Sequence, residues 1–135
     1  MPIVGFNFTK INAEKKGKFT VDKKIKSDLR INNVDKEQLD IGSSDEIAKF
    51  DFEFIVDYQD TGNMVLGGNV LFMDDPKKIK TMIEDWKKKK KMPEEVMNQI
   101  LNTVLFRCNI KALNVSQDLG LPPHFRLPRV VPKTN

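Results

Sequence analysis

An α+β domain is what this sequence predicts, with four antiparallel strands first and helices packed on one face of their sheet afterwards. Three observations carry that expectation. Apolar residues recur at every second position until about residue 73. The period changes to three and four after Asp74-Asp75-Pro76. Finally, 135 residues with 39% apolar and 31% charged side chains suit one ordinary core, so residues 1–135 read as a single domain.

The first strand shows Val4, Phe6 and Phe8 alternating with Gly5, Asn7 and Thr9. Lys15-Lys16-Gly17-Lys18 then makes a polar turn. In the second strand Phe19, Val21, Ile25, Leu29 and Ile31 occupy odd positions and polar residues the even ones, one face dry and one wet. Asn32-Asn33 and Gly42-Ser43-Ser44-Asp45 mark a loop holding the brief apolar pair Leu39 and Ile41. The third strand alternates most strongly: Ala48, Phe50, Phe52, Phe54, Val56 and Tyr58 against Lys49, Asp51, Glu53 and Asp57, with Ile55 the exception. Gln59 to Asn63 is a hairpin loop. The returning strand is apolar on both sides, with Met64, Leu66, Val70 and Phe72 on one and Val65, Leu71 and Met73 on the other, which places it inside the sheet or under a partner. Gly67-Gly68 within it signals a bulge or a close backbone approach. The strands together span about residues 3–73.

Asp75 suits an N-cap and Pro76 the first helical position. Ile79, Met82, Ile83 and Trp86 form an apolar stripe on a helix over about 76–91, ending in Lys87, Lys88, Lys89, Lys90 and Lys91. Pro93-Glu94-Glu95 opens a second helix over about 93–119. Val96, Met97, Ile100, Leu101, Val104, Leu105, Cys108, Ala112, Val115 and Leu119 give it a wide apolar face. Gly120 stops it, and the prolines from Pro122 onward keep residues 121–135 extended.

Chemistry is sparse. Cys108 is the single cysteine, which excludes an internal disulfide and any multi-cysteine zinc site and fits a reducing, cytoplasmic setting. His124 is the single histidine, so a transition-metal site has little to build on. Cys108 and His124 lie the equivalent of about four helical turns apart in sequence, so the helix is expected to separate them and a nucleophilic pair is not expected. No GxSxG, P-loop, GxGxxG or HExxH pattern occurs, and capping accounts for Asp74-Asp75. The expectation is a non-enzyme without metal or cofactor. The start, MPIVGFNFTK, lacks the basic region and apolar run of a signal peptide. No apolar stretch approaches the ~18–20 residues of a membrane span. A net charge of +4 permits an anionic partner without demanding one. The lysine run is flanked by Glu84-Asp85 and Glu94-Glu95 and lacks interleaved arginines, which favours a solvated helix end over a nucleic-acid contact. The apolar faces, by contrast, exceed what two helices can cover, which points to oligomer burial or to a groove for other polypeptides. Met64, Met73, Met82 and Met97 would add adaptable contact area where they are not core.

The segment Leu105 to Val130, LFRCNIKALNVSQDLGLPPHFRLPRV, resembles the C-terminal helix and following extended piece of the SecB-like protein-export chaperones. Leu105-Phe106, Gly120, Pro123, Phe125, Leu127 and Val130 keep the family's spacing, and Asn102 stands one place from the usual asparagine. The order of four strands and then a long helix is similar too. Arg107 replaces the proline that often follows Leu-Phe, the family's final short helix has no counterpart in VVPKTN, and the lysine-rich helix around Trp86 is additional. Bacterial members are acidic; at +4, docking to an export motor is not carried over.

The resemblance implies a cytoplasmic holdase working beside protein export. It would bind unfolded or nascent chains in apolar grooves between sheet and helix, without nucleotide, as a dimer or dimer of dimers joined through the long helix. Client contacts are then expected at Phe6, Phe8, Phe50, Phe52, Phe54, Tyr58 and Phe125, and subunit contacts at Ile100, Leu101, Val104, Leu105 and Cys108. Two alternatives stay open: an adaptor for one partner, such as a toxin–antitoxin component, or an RNA or ribosome binder using Lys87 to Lys91.

Overall fold

A computed structural model describes residues 3–17, 24–38, 42, 44–128 and 130. The strands are β1 (Ile3–Lys15), β2 (Lys26–Glu37), β3 (Glu46–Asp57) and β4 (Gly62–Asp74); the helices are α1 (Pro76–Lys89) and α2 (Glu94–Leu119). All pairings are antiparallel, in the spatial order β1-β4-β3-β2. Consecutive hairpins join β2, β3 and β4, while β1 lies beside β4, the connectivity of a Greek key. The strand that is apolar on both faces, β4, is therefore interior, and β1 and β2 are the two edges.

One face of the sheet carries the core. Ala48, Phe50, Phe52, Phe54 and Val56 of β3 point to it together with Met64, Leu66, Val70 and Phe72 of β4, all buried. Each of these side chains except that of Ala48 contributes about 1.5–3 kcal/mol when fully buried. α1 covers β2, β3 and β4 with Ile79, Met82 and Trp86, and α2 covers β4 and β1 with Ile100, Val104, Cys108 and Ala112. No helix among the described residues packs on the other face, where Lys49, Asp51, Glu53 and Asp57 project from β3. Burial raises the Asp51 carboxyl above its ordinary value, and the charges of Asp35 and Glu37 add to that while Lys49 opposes it.

The second strand departs from the sequence expectation. Its alternation breaks at Asn32-Asn33, which reads as a loop, yet β2 continues to Glu37. A bulge between Ile31 and Asn33 takes up one residue, so the inward set passes from odd positions, Leu29 and Ile31, to the even Val34. A single inserted residue inverts the pattern without ending the strand. The Asn33 amide donates to the Asp35 carboxylate just beyond the bulge. Phe19, Val21, Leu39 and Ile41 lie outside the described residues.

The Gly67-Gly68 signal marks both of the features it suggested. A register shift between Phe8 and Lys10 of β1 faces these two glycines, and the β1 backbone at Asn7 crosses close over Gly68. The hairpin between β3 and β4 is a single 3-10 turn, Gln59–Thr61. Asp75 stands at the α1 N-cap, but its side chain caps nothing; instead its own N–H donates to the Asp74 carboxylate at 2.7 Å. α2 ends at Gly120, whose φ of 68° is the left-handed cap that glycine adopts without strain.

Candidate polypeptide-binding surface

The side chains expected to meet a client divide sharply by position. Phe50, Phe52, Phe54 and Tyr58 are at most 2% exposed, so in this structure they are core and not groove lining. The reason is coverage: alternation put them all on the one face that both helices close over. Tyr58 is held further by its hydroxyl, which donates to the Pro122 carbonyl at 2.8 Å, and burial raises its ordinary phenol value. Phe6 and Phe8 sit at the sheet edge and are only half-buried. Phe6 stacks on Phe52 at 5.2 Å between centroids, and Phe8 meets Phe6 edge-on at 5.0 Å.

The expected subunit contacts divide in the same way. Ile100, Val104 and Cys108 are fully buried against the chain's own sheet, on a line continued by Ala112 and Ser116 at every fourth residue. These three belong to the core of the single chain, a correction to the interface expectation. Burial pushes the Cys108 thiol up to about 12, far from a nucleophile's range. Leu101 is half-buried, and Leu105 is 38% exposed.

Leu105 and Phe125 apart, the outward apolar surface lies on residues that the sequence reading did not single out as a site. Phe106 is 68% exposed and Ile110 48%. At about 100° per residue, Phe106 is roughly 200° around the helix from Val104, on the side turned away from the core. That was legible in principle: an apolar residue two places beyond a buried-line residue cannot share its face. Val4 and Ile11 are exposed on β1, whose outer edge has no neighbouring strand among the described residues. Between β1 and α2 a shallow cavity of about 370 Å³ is lined by Phe8, Phe106, Arg107, Ile110, Lys111 and Asn114. Two cations of its lining stand over aromatic rings of β1: the Arg107 guanidinium is 4.9 Å from the Phe6 ring centre and the Lys111 ammonium 5.8 Å from that of Phe8.

The segment after α2 supplies a second apolar stretch. Leu121 is buried and anchors it. His124 then packs edge-on against Phe54 at 5.8 Å and Phe125 at 4.7 Å, with Nε2 2.7 Å from the Asn109 amide oxygen. Burial holds the His124 imidazole below its ordinary value, so it stays neutral near pH 7, with Nε2 as the donor. Phe125 is 42% exposed, and Leu127 and Val130 are exposed beyond it. Lys87 to Lys91 are all exposed around the end of α1. Lys87 lies 4.0 Å from Asp35, and Lys90 stands 5.3 Å over the Trp86 ring. Among the described residues no three histidine, cysteine or carboxylate side chains gather as a metal site, and no helix is long and apolar enough to cross a membrane.

No family model and no curated protein sequence matches the chain. Among solved structures it is similar to the Mycobacterium tuberculosis SecB-like chaperone Rv1957, determined in complex with a ChAD peptide from the Rv1956 HigA1 antitoxin. The similarity covers 98% of this chain and 91% of that one, with a TM-score of 0.50 and 13% sequence identity. At that identity the likeness concerns the fold alone, and it agrees with the sheet and helices described above: the chain has a SecB-like α+β fold.

Proposed function

We propose that this chain is a chaperone of the holdase type, binding extended or unfolded polypeptide segments without nucleotide and without covalent chemistry. The observation that carries this reading is the apolar surface left open after one chain has folded. Leu105, Phe106 and Ile110 on α2 and Val4 and Ile11 on β1 are exposed, and the outer edge of β1 has no neighbouring strand among the described residues. Exposed apolar area next to free strand N–H and C=O groups suits extended polypeptide, because main-chain pairing supplies affinity whatever the client's sequence. The cytoplasm, a role beside protein export, and assembly into a dimer or dimer of dimers go with this reading. Phe125 and Leu127 would extend the contact surface.

The test is aggregation of a denatured client protein. Wild-type chain at several-fold excess suppresses it, and Phe106→Ser combined with Ile110→Ser weakens that effect while leaving the circular dichroism spectrum unchanged. No suppression by the wild type overturns the reading. Light scattering is expected to give a multiple of the 15.5 kDa chain mass. One observation favours a narrower version, an adaptor for a single partner: the similar mycobacterial structure holds a peptide from an antitoxin. Affinity capture that yields one stoichiometric partner, and not a spread of clients, selects the adaptor. An RNA or ribosome contact through Lys87 to Lys91 predicts steeply salt-dependent binding that is abolished when all five become Gln.

A further inference from the structure

We propose that residues 122–128 are an internal occupant of a peptide seat between β3 and α2, and that client segments of the same kind, extended and carrying a flat ring beside proline, bind there by displacing them. This rests on the polypeptide-binding reading and adds to it a second seat, a client class and a built-in competitor. The floor of the seat is the far end of the aromatic face of β3. Phe54 and Tyr58 are at most 2% exposed, and this segment is part of what closes over them. The Tyr58 hydroxyl donates to the Pro122 carbonyl at 2.8 Å, and the His124 ring packs edge-on against Phe54 at 5.8 Å. On the α2 side, the Asn109 amide oxygen accepts from His124 Nε2 at 2.7 Å. Toward the sheet edge the floor continues to Leu29 of β2, the cross-strand partner of Phe54, which is only half-buried.

The segment is held as a docked peptide is held and not as a strand is. The buried Leu121 stays with the body of the fold, its N–H donating to the Ser116 carbonyl at 2.8 Å to close α2. Beyond it, residues 122–128 make no backbone-to-backbone hydrogen bond among the described residues, and Pro122, Pro123 and Pro128 have no N–H to donate. Phe125, Arg126, Leu127 and Pro128 are exposed, and a cavity of about 390 Å³ lies against Pro123, Phe125, Arg126 and Leu127. His124 Nδ1 is buried with no hydrogen-bond partner among the described residues, so the internal fit is incomplete. Few buried contacts and no ladder of backbone bonds put a segment at the low end of local stability. What fastens it is also general: Tyr58 takes a main-chain carbonyl, and two residues later Phe54 takes a flat ring. A foreign segment with that ring offers the same two features, and proline keeps it extended. Its apparent affinity is lowered by the fraction of chains whose seat is already filled from within.

The experiment uses the full chain with an isotope-labelled imidazole and the unlabelled peptide PPHFRLP, beside a counterpart with serine in place of its histidine and phenylalanine. His124 is the single histidine of the chain, so one imidazole signal in the magnetic resonance spectrum reports on the segment. Saturating PPHFRLP should move that signal to the position of a free imidazole, and the serine peptide should leave it in place. His124→Ser loosens the occupant while leaving β3 and α2 as they are. By fluorescence anisotropy it should bind fluorescein-labelled PPHFRLP roughly five- to a hundredfold more tightly than wild type does, the range for losing one hydrogen bond and one ring contact. Its circular dichroism spectrum should match that of wild type; if it does not, the imidazole signal of the wild type decides alone. Binding of PPHFRLP that leaves the His124 signal unmoved, equal affinity of the two folded chains, or equally tight binding of the serine peptide overturns this inference and leaves polypeptide binding standing. So does absence of peptide binding to both chains when the wild type still suppresses client aggregation. Absence of peptide binding and of suppression together overturns both.

Discussion

Replacing Gly68 by alanine tests whether the β1–β4 register described here is the one the protein adopts. A Cβ at Gly68 would fall well inside contact distance of the Asn7 carbonyl oxygen and 2.9 Å from Cζ of Phe52. A ring can tilt, but a backbone oxygen held in a strand cannot move without its neighbours, so the β1 segment around Phe8 must shift. Overpacking of this kind costs about 1–3 kcal/mol. For a domain of this length each kcal/mol lowers the melting midpoint by roughly 3–5 °C. The expected fall is therefore on the order of 3–15 °C by circular dichroism or scanning calorimetry. Gly67 provides the control, because a Cβ there meets Lys10 Cβ at 3.5 Å, ordinary van der Waals contact, and nothing nearer. Gly67→Ala should leave the midpoint unchanged or raise it by the equivalent of up to ~1 kcal/mol, through a less flexible unfolded chain. Identical midpoints for the two variants would refute the register and the close crossing together. Since β1 also carries Phe6 and Phe8, Gly68→Ala should weaken peptide binding in the same preparation that shows lowered stability.

Two further outcomes follow from buried titratable groups. With its thiol pushed up to about 12 and fully buried, Cys108 should resist iodoacetamide at pH 8 in the native protein and react rapidly in denaturant; native labelling at the rate of a free thiol would show that α2 does not lie on the sheet as described. His124 has a folded-state value below the ordinary 6.5, so the unfolded chain binds its proton more readily. Its contribution to stability is thus complete above pH 6.5, declines as the pH falls from there toward the folded-state value, and is lost below it. Urea unfolding of wild type against His124→Gln across that window should show the decline in the wild type alone, and parallel pH profiles would contradict the buried position.

How much of this could be read from the chain varied with the kind of signal. Alternation ran from Ala48 to Tyr58 with Ile55 the one exception, and the six side chains of its apolar face are buried. Pro76, Pro93 and Gly120 bracketed the helices closely because their backbone limits act within a turn or two. The C-terminal half of β2 was missed because one bulged residue inverted the inward parity, which local pattern reads as a loop. The proposed binding surface was legible only in part. Phe6 and Phe8 do reach the edge, but the most aromatic strand lies wholly under the helices, while Phe106, on the far side of a helix whose other side is also apolar, stands in solvent.

Periodicity determined which residues travel together, because the spacing of side chains along a strand or helix is a property of the backbone alone. It therefore specified the strands, the helices and the members of each face. Which face was to be covered is a matter of long-range placement. α2 turns Ile100, Val104 and Cys108 toward β4 and β1, and that orientation alone leaves Phe106 and Ile110 open beside Arg107 and Lys111. No pattern along the chain encodes it, since a buried and an exposed apolar stripe have the same spacing and differ only in what lies opposite.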